Sequence, residues 1–416
     1  MFKKVIFNTG SQIVGKAVTA TSTLILTILI GRSLGPAGYG DFTKIFAFVG
    51  YFYTFSDFGL NNIFIKLTSN NDDAFSKNLF KVLVSLRIVI ATTLAVVAIA
   101  VAYLLPYNAS AQTGFGPLVK LGIVIAAVTI LTQALLTTAN AYFQKNLRYD
   151  LSAVATTLGS AAVLLFATII FLKGGSLTSY VFAYVVGGII FAASALALIF
   201  KKFKFAPTPT VDIDQFKKLI NLSWPVGLAL ILNLIYFRVD VLILSYTRPT
   251  QEVGFYGLSY QFFEAFLTVP IFISNALYPL LAALYNQNRS DFAKQIRTYL
   301  VYLFLFSLVL SASLFTASFL IPIIYGTGFT PAVGSLRILS TGLPFFFISA
   351  LLWHILIIED RQKLLPAIYG VGAVFNVISN MIFIPIYGFA AAAATTVASE
   401  ILILLLLYLA LKIRID

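Results

Sequence analysis

Apolar residues occupy the chain in long blocks, and each block ends in a short polar cluster before the next begins. A helix that crosses a bilayer needs about 20 mostly apolar residues, and by that length the pattern predicts about twelve spans. Their approximate limits are residues 6–31, 39–66, 80–105, 117–143, 150–172, 177–200, 217–246, 252–284, 293–325, 332–358, 363–386 and 388–411. The most polar interval, KKFKFAPTPTVDIDQFKK at residues 201–218, divides the chain nearly in half. The expectation is an all-α polytopic membrane protein built from an N-terminal six-helix bundle (1–200), a cytoplasmic linker (201–216) and a C-terminal six-helix bundle (217–416).

Composition agrees with the pattern. Of 416 residues, 60% are hydrophobic and 10% charged, with a mean hydropathy of +0.95, whereas a soluble domain carries about 25% charged residues. The start, MFKKVIFNTG, is basic like a signal peptide, but Asn8, Gln12 and Lys16 interrupt any short apolar core and no small-residue cleavage site follows, so it is kept as the first span. The net charge of +13 is distributed unevenly. Lys3, Lys4, Lys66, Lys77, Lys81, Lys145, Arg148, Lys201, Lys202, Lys217, Lys218, Lys294, Arg361 and Lys412 fall at one set of alternate helix ends; few basic residues, among them Arg32, Lys120, Arg248 and Arg337, fall at the other. Short cytoplasmic loops retain positive charge, so both termini are expected on the cytoplasmic side of the cell membrane. This accounts for the basicity without a nucleic-acid partner. With no cysteine and one histidine, thiolate and imidazole metal sites are not expected.

The two halves also rhyme. GPAGYGDFTKIFAF in the second span resembles QEVGFYGLSYQFFEAF in the eighth, matching Tyr39, Gly40 and Phe46 with Tyr256, Gly257 and Phe263, and Arg87 and Arg297 sit on the following helices. Weak similarity between six-span halves is a property of two-lobed transporters. Two further stretches, LIGRSLGPAGYGDF…FSDFGLNNIFIK and NLSWPVGLALILNLIYFRVDVLILS with the VGFYGLSYQFFEAF that follows, resemble the polysaccharide exporters. That family includes the O-antigen flippases of the multidrug/oligosaccharidyl-lipid/polysaccharide exporter superfamily. The resemblance implies two six-helix bundles around a central cavity and transfer of a polyprenyl-diphosphate-linked glycan to the outer leaflet. The bilayer and the polysaccharide assembly machinery are the other partners it implies.

Charged side chains within spans are costly and tend to face a partner or a hydrated cavity, which makes each a candidate. Asn8, Gln12, Lys16, Thr19, Thr23 and Thr27 form one polar stripe at three- and four-residue steps. Interhelical hydrogen bonding would explain the threonines, but Lys16, about 15 Å along the helix, favours a cavity. Asp41, Lys44, Tyr51 and Phe55 share a face of the second span, so Lys44 either joins Lys16 or snorkels to the outer interface. Tyr53, Asp57 and Asn61 share another face, with Asp57 directed into its own bundle or toward the cytoplasmic mouth. In the second half, Asn233, Tyr236 and Asp240 form one stripe, and Tyr260, Glu264, Thr268 and Asn275 another. Either Asp240 and Glu264 look toward the cleft with Arg238 on its flank, or Arg238 pairs with one of these acids. Arg87 is likewise expected in a supporting ion pair, and Glu400 beside Asn376 or Asn380.

Lys and Arg suit a diphosphate, Tyr, Asn and Thr suit sugar hydroxyls, and lone acids suit a coupling proton or Na⁺. The candidate substrate residues are therefore Gln12, Lys16, Thr19, Lys44, Tyr51, Asn233, Tyr236 and Tyr260, and the candidate coupling or gating acids are Asp57, Asp240, Glu264 and Glu400. No bound cofactor is expected. His354 and the pair Gly187–Gly188 read as packing residues, and DID at 212–214 as a solvated loop. The competing functions are a cation-coupled multidrug exporter of the same superfamily and, in a different class, a membrane polysaccharide polymerase or glycosyltransferase. The short loops and the lack of a nucleophile constellation argue against an enzyme.

Overall fold

The structure, a computed structural model, describes residues 2–69 and 71–412, excepting the side chains of residues 2–14, 16, 17 and 412. Its elements are α1 (Phe2–Asp57), α2 (Leu60–Thr68), α3 (Asp73–Leu104), β1 (Tyr107–Asn108), β2 (Thr113–Gly114), α4 (Pro117–Ala126), α5 (Val128–Lys145), α6 (Tyr149–Leu172), α7 (Leu177–Phe203), α8 (Ile213–Thr247), α9 (Thr250–Gln287), α10 (Arg289–Ala317), α11 (Leu320–Tyr325), α12 (Ala332–Ile358), α13 (Leu365–Tyr387) and α14 (Phe389–Lys412). Among the described residues, eleven helical stretches are long and apolar enough to cross a membrane. The first of them, Val18–Thr68, has 51 residues, enough for two crossings at about 20 residues each. It is divided where Gly35 takes φ 65°, ψ −175°, a backbone state that glycine adopts without a Cβ penalty, and Pro36 follows with no N–H to continue the ladder. The sequence places its boundary between the first two spans at this same point.

This is the multi-pass all-α fold expected from the hydrophobic pattern. Large apolar side chains such as Leu104, Val309 and Ile386 lie exposed on the helices, as they must where the surrounding solvent is acyl chain. Two compact units are formed, Met1–Leu234 and Ile235–Asp416, and the division falls within α8, downstream of the polar linker.

In the first unit α6 packs on α1 and α7, and α5 packs on α3 and α7. Gly187 and Gly188 permit the close approach of α7. A Cβ on Gly187 would lie 2.0 Å from Val163 Cγ2, and one on Gly188 2.6 Å from Thr132 Oγ1. An aromatic cluster centres on Tyr142, whose ring lies 4.9 Å from Phe80, 5.0 Å from Phe203 and 5.3 Å from Phe205. The beginning of the linker is thus held to its own bundle, and Thr210 N–H donates to the Lys81 carbonyl farther along at 3.3 Å.

In the second unit α12 is the hub, packing on α9, α10 and α14, while α13 packs on α14. The core is apolar around Leu281, Phe347, Leu351, Leu356, Ile403 and Leu407. The repeat seen in sequence is preserved in part. Tyr39 and Tyr256 are both buried, but Arg87 is wholly buried whereas Arg297 is exposed.

Candidate functional site

The polar stripe of α1 is described from its middle onward; Gln12 and Lys16 lie outside the described side chains. Thr19 donates to the Gly15 carbonyl at 2.9 Å and Thr27 to that of Leu24 at 2.8 Å, the usual way for a hydroxyl to be satisfied on its own helix. Thr19 and Thr23 also form one wall of a cavity of about 260 Å³ inside the first unit, whose other walls come from α5, α6 and α7. Tyr51 is half-buried on α1 and lies outside that wall.

Lys44 does not join this cavity. It is 1% exposed and its Nζ donates to the Gly114 carbonyl at 2.8 Å, so a buried ammonium near the end of the span ties α1 to the β1–β2 hairpin. A backbone carbonyl seventy positions away leaves no trace in the periodicity of α1, which is why the sequence leaves Lys44 between the cavity and the outer interface.

Asp57 is held in an ion pair within its own bundle. Its Oδ1 accepts from Arg87 Nη2 at 2.7 Å. Arg87, on α3 and fully buried, also donates to Asn61 Oδ1 at 2.7 Å and to the Ser56 carbonyl. One guanidinium therefore joins the end of α1, the start of α2 and the middle of α3. Of the two orientations open to Asp57 from sequence, it takes the one into its own bundle.

In the second unit the charges separate into two kinds. Arg238 Nη2 pairs with both carboxylate oxygens of Glu264 at 2.7 Å, and its guanidinium lies 5.2 Å from the Tyr260 ring centre. Both partners are partly exposed, at 34% and 49%. Glu264 is thus the ion-pair partner of Arg238, and Tyr260 stacks under the pair. Asn233, on the same sequence stripe as Tyr236, is exposed and belongs to the first unit.

Asp240 and Glu400 are different: 2% and 3% exposed, neither has a basic side chain within ion-pair distance among the described residues. Asp240 accepts from the Val241 N–H at 2.7 Å and from the Tyr256 hydroxyl, and that hydroxyl lies 3.3 Å from Thr396 Oγ1. Glu400 accepts from the Tyr236 hydroxyl at 2.9 Å. Because Tyr236 and Asp240 are one turn apart on α8, and Thr396 and Glu400 one turn apart on α14, the two helices carry two polar rungs, one above the other. The expected neighbours of Glu400 are placed otherwise: Asn376 donates to Ser399 Oγ at 3.0 Å, and Asn380 to Asn376 Oδ1 at 2.9 Å. His354 is a packing residue, with Nδ1 at 2.8 Å from the Ala350 carbonyl, Nε2 at 3.0 Å from Asn275 Oδ1, and the Tyr278 and Trp353 rings against it.

The sequence reading passed over Thr396 and the role of Tyr256 as the donor to Asp240. The signal for Thr396 was present: Thr396 and Glu400 are four apart in FAAAAATTVASE and so share one face of α14. The cavity residues Gln133, Ser160 and Tyr184 were also missed, although Gln133 stands in a stripe with Thr129, Thr137 and Asn140 at four- and three-residue steps on α5. Among the described residues no three of His, Asp or Glu come together as a metal site would require.

With this geometry in view, comparisons with known proteins give the following. The family model described as "Polysaccharide biosynthesis protein" matches residues 3–285, and the MatE model matches residues 225–382. No curated protein matches the chain. Among solved structures, a lipid II flippase, MurJ, in an inward closed conformation superposes with a TM-score of 0.78 at 15% identity, covering 98% of this chain and 87% of that one. An inward-facing multidrug resistance MATE-family transporter of the MOP superfamily gives 0.77 at 12% identity, covering 95% and 94%. A MOP-superfamily transporter from Pyrococcus furiosus, described as having a binding pocket of reversed polarity that suggests a different function, gives 0.66 at 13% identity, covering 99% and 95%.

Proposed function

The chain belongs to the polysaccharide biosynthesis protein family within the MOP superfamily of transporters, and we propose that it is a flippase moving a polyprenyl-diphosphate-linked oligosaccharide across the cytoplasmic membrane by alternating access. As a transporter it makes no covalent change in its cargo. The observation that carries the reading is the reach of the family match, residues 3–285, which takes in the first unit and continues into α9 of the second. The lipid substrate named for the similar flippase supports the same class of cargo.

In this reading the lipid tail stays in the bilayer while the headgroup passes among the helices. Lys16 supplies the cation for the diphosphate, since an ammonium in a poorly screened site forms charge-assisted bonds to phosphate oxygens. Asp240 and Glu400 supply the coupling. Each is an acid at membrane depth whose described partners are neutral donors, so a proton or Na⁺ can neutralise it without displacing a basic side chain. Occupancy there would change the hydrogen bonds that join α8 to α9 and α14. Arg238–Glu264 and Arg87–Asp57 are compensated pairs and take no part in this step. Both termini lie in the cytoplasm in this reading, which the placement of basic residues supports.

The second reading, a cation-coupled multidrug exporter, is favoured by the MatE match over residues 225–382. Purified protein in liposomes separates the two. The inner leaflet is loaded with a polyprenyl-diphosphate-linked oligosaccharide, and its appearance outside is followed by cleavage with an added glycosidase. Protein-dependent appearance supports the flippase. No appearance, together with gradient-driven uptake of a cationic dye, would replace it with the exporter.

A further inference from the structure

The cavity of the first unit has a chemistry distinct from that of the charged pairs. No acidic or basic side chain contributes to its wall among the described residues. What faces it instead is hydroxyl and carboxamide. Thr23, Gln133, Ser160 and Tyr184 make no side-chain hydrogen bond among the described residues, although Ser160 is only 6% exposed and Gln133 and Tyr184 are half-buried. By contrast, the Tyr53 hydroxyl in the same wall is bonded to Thr129 Oγ1 at 2.6 Å. Buried polar groups are nearly always paired, with protein or with something that enters from outside. Among the described residues these four groups, from α1, α5, α6 and α7, converge on one cavity with their hydrogen-bonding capacity open to whatever enters it.

The geometry also sets size and character. At about 260 Å³ the cavity is just below the range of about 300–1,000 Å³ that holds drug-sized ligands, which suits a single ring with several hydroxyls. Gln133 offers two donors and an acceptor, and each hydroxyl offers both roles, a set that matches adjacent ring hydroxyls. Phe46 and Phe191 add apolar ring faces to the same wall, against which the C–H face of a pyranose packs. Among the described residues a hydrophobic cation finds no counter-charge there.

Resting on the glycan reading given above, we infer that this cavity is a subsite for one uncharged sugar residue of the cargo. Gln133 is its central hydrogen-bonding residue, and Tyr184 and Ser160 complete it.

The test uses the full chain in lipid nanodiscs and free methyl glycosides of glucose, galactose and N-acetylglucosamine at millimolar concentration, with binding followed by saturation-transfer NMR. Tetraphenylphosphonium serves as the cationic control. The wild type is expected to bind at least one glycoside and not the cation. Tyr184→Phe and Ser160→Ala should each weaken that binding by about three- to tenfold, the loss of one hydrogen bond, and Gln133→Leu should abolish it. Tyr184→Phe removes a single oxygen atom, so it decides the matter even if Gln133→Leu does not fold. No glycoside binding, preference for the cation, or binding unchanged in Tyr184→Phe and Ser160→Ala would overturn the inference and leave the cavity a water-filled space. Failure here is distinguishable from failure of the flippase. Normal translocation with no glycoside binding removes the subsite alone, whereas glycoside binding without translocation of the lipid-linked glycan removes the flippase and keeps the site.

Discussion

Substituting Asp57 by Asn tests whether that acid is a bolt or a gate. The guanidinium of Arg87 has no solvent exposure, and Asp57 is its only acidic partner within ion-pair distance among the described residues. Asp57→Asn retains size and an acceptor but leaves a buried cation without compensating charge, which costs about 3–5 kcal/mol. The reverse change is milder. Arg87→Met removes the charge from the dry site, and Asp57, whose side chain is 29% exposed, keeps access to solvent; the remaining loss is that of the hydrogen bonds to the neutral oxygens of Asn61 and Ser56, about 1–3 kcal/mol in all. At roughly 2–4 °C per kcal/mol for a unit of this size, Asp57→Asn should lower the thermal midpoint in detergent by about 6–20 °C, and Arg87→Met by less. The double variant should recover part of the Asp57→Asn loss. The assay is fluorescence-detected thermal unfolding of purified protein beside translocation per folded molecule. A midpoint within about 2 °C of wild type for Asp57→Asn, with translocation lost, would refute this account and return Asp57 to a gating role.

Asp240→Asn and Glu400→Gln should each spare folded yield while removing the response of translocation to an imposed pH or Na⁺ gradient; an unchanged gradient response in both would eliminate coupling at these rungs. Lys16→Ala should impair translocation with little effect on thermal midpoint, whereas Lys44→Met should lower the midpoint through loss of the bond to Gly114 and leave translocation per folded molecule intact. The opposite assignment of effects would place the headgroup cation at Lys44. Because Arg238 and Glu264 are partly exposed, Arg238→Ala should cost only about 0–1 kcal/mol, and a collapse in folded yield would show that the pair is shielded by more than its own bundle. A reporter after the last residue should be active in the cytoplasm and one inserted within residues 108–114 outside it; the reverse would overturn the topology.

Much of this molecule is legible in one dimension because lipid constrains a chain so strongly. Every backbone polar group within hydrocarbon must be bonded inside its own segment, so spans declare themselves by length and apolarity. The helices Ala332–Ile358 and Phe389–Lys412 fall close to where the hydrophobic pattern puts them. Gly35–Pro36 was likewise readable as a break, since both residues act through their own backbone.

What a helical stripe specifies is a face, and it does not specify who stands opposite. Asp57 meets Arg87 from 30 positions away, Lys44 meets Gly114 from 70, and Tyr236 meets Glu400 from 164. Whether an acid becomes half of a compensated pair, like Glu264, or stays among neutral donors, like Asp240, depends on which helix packs against it. The same holds for Gln133, Ser160 and Tyr184, which lie on three separate helices and become one wall only when α5, α6 and α7 close on α1. The sequence by itself therefore determined the medium, the number and course of the helices and the inventory of buried charge. Only the tertiary structure decided the partners, because hydrogen bonds and ion pairs act over a few ångströms in space and carry no periodicity along the chain.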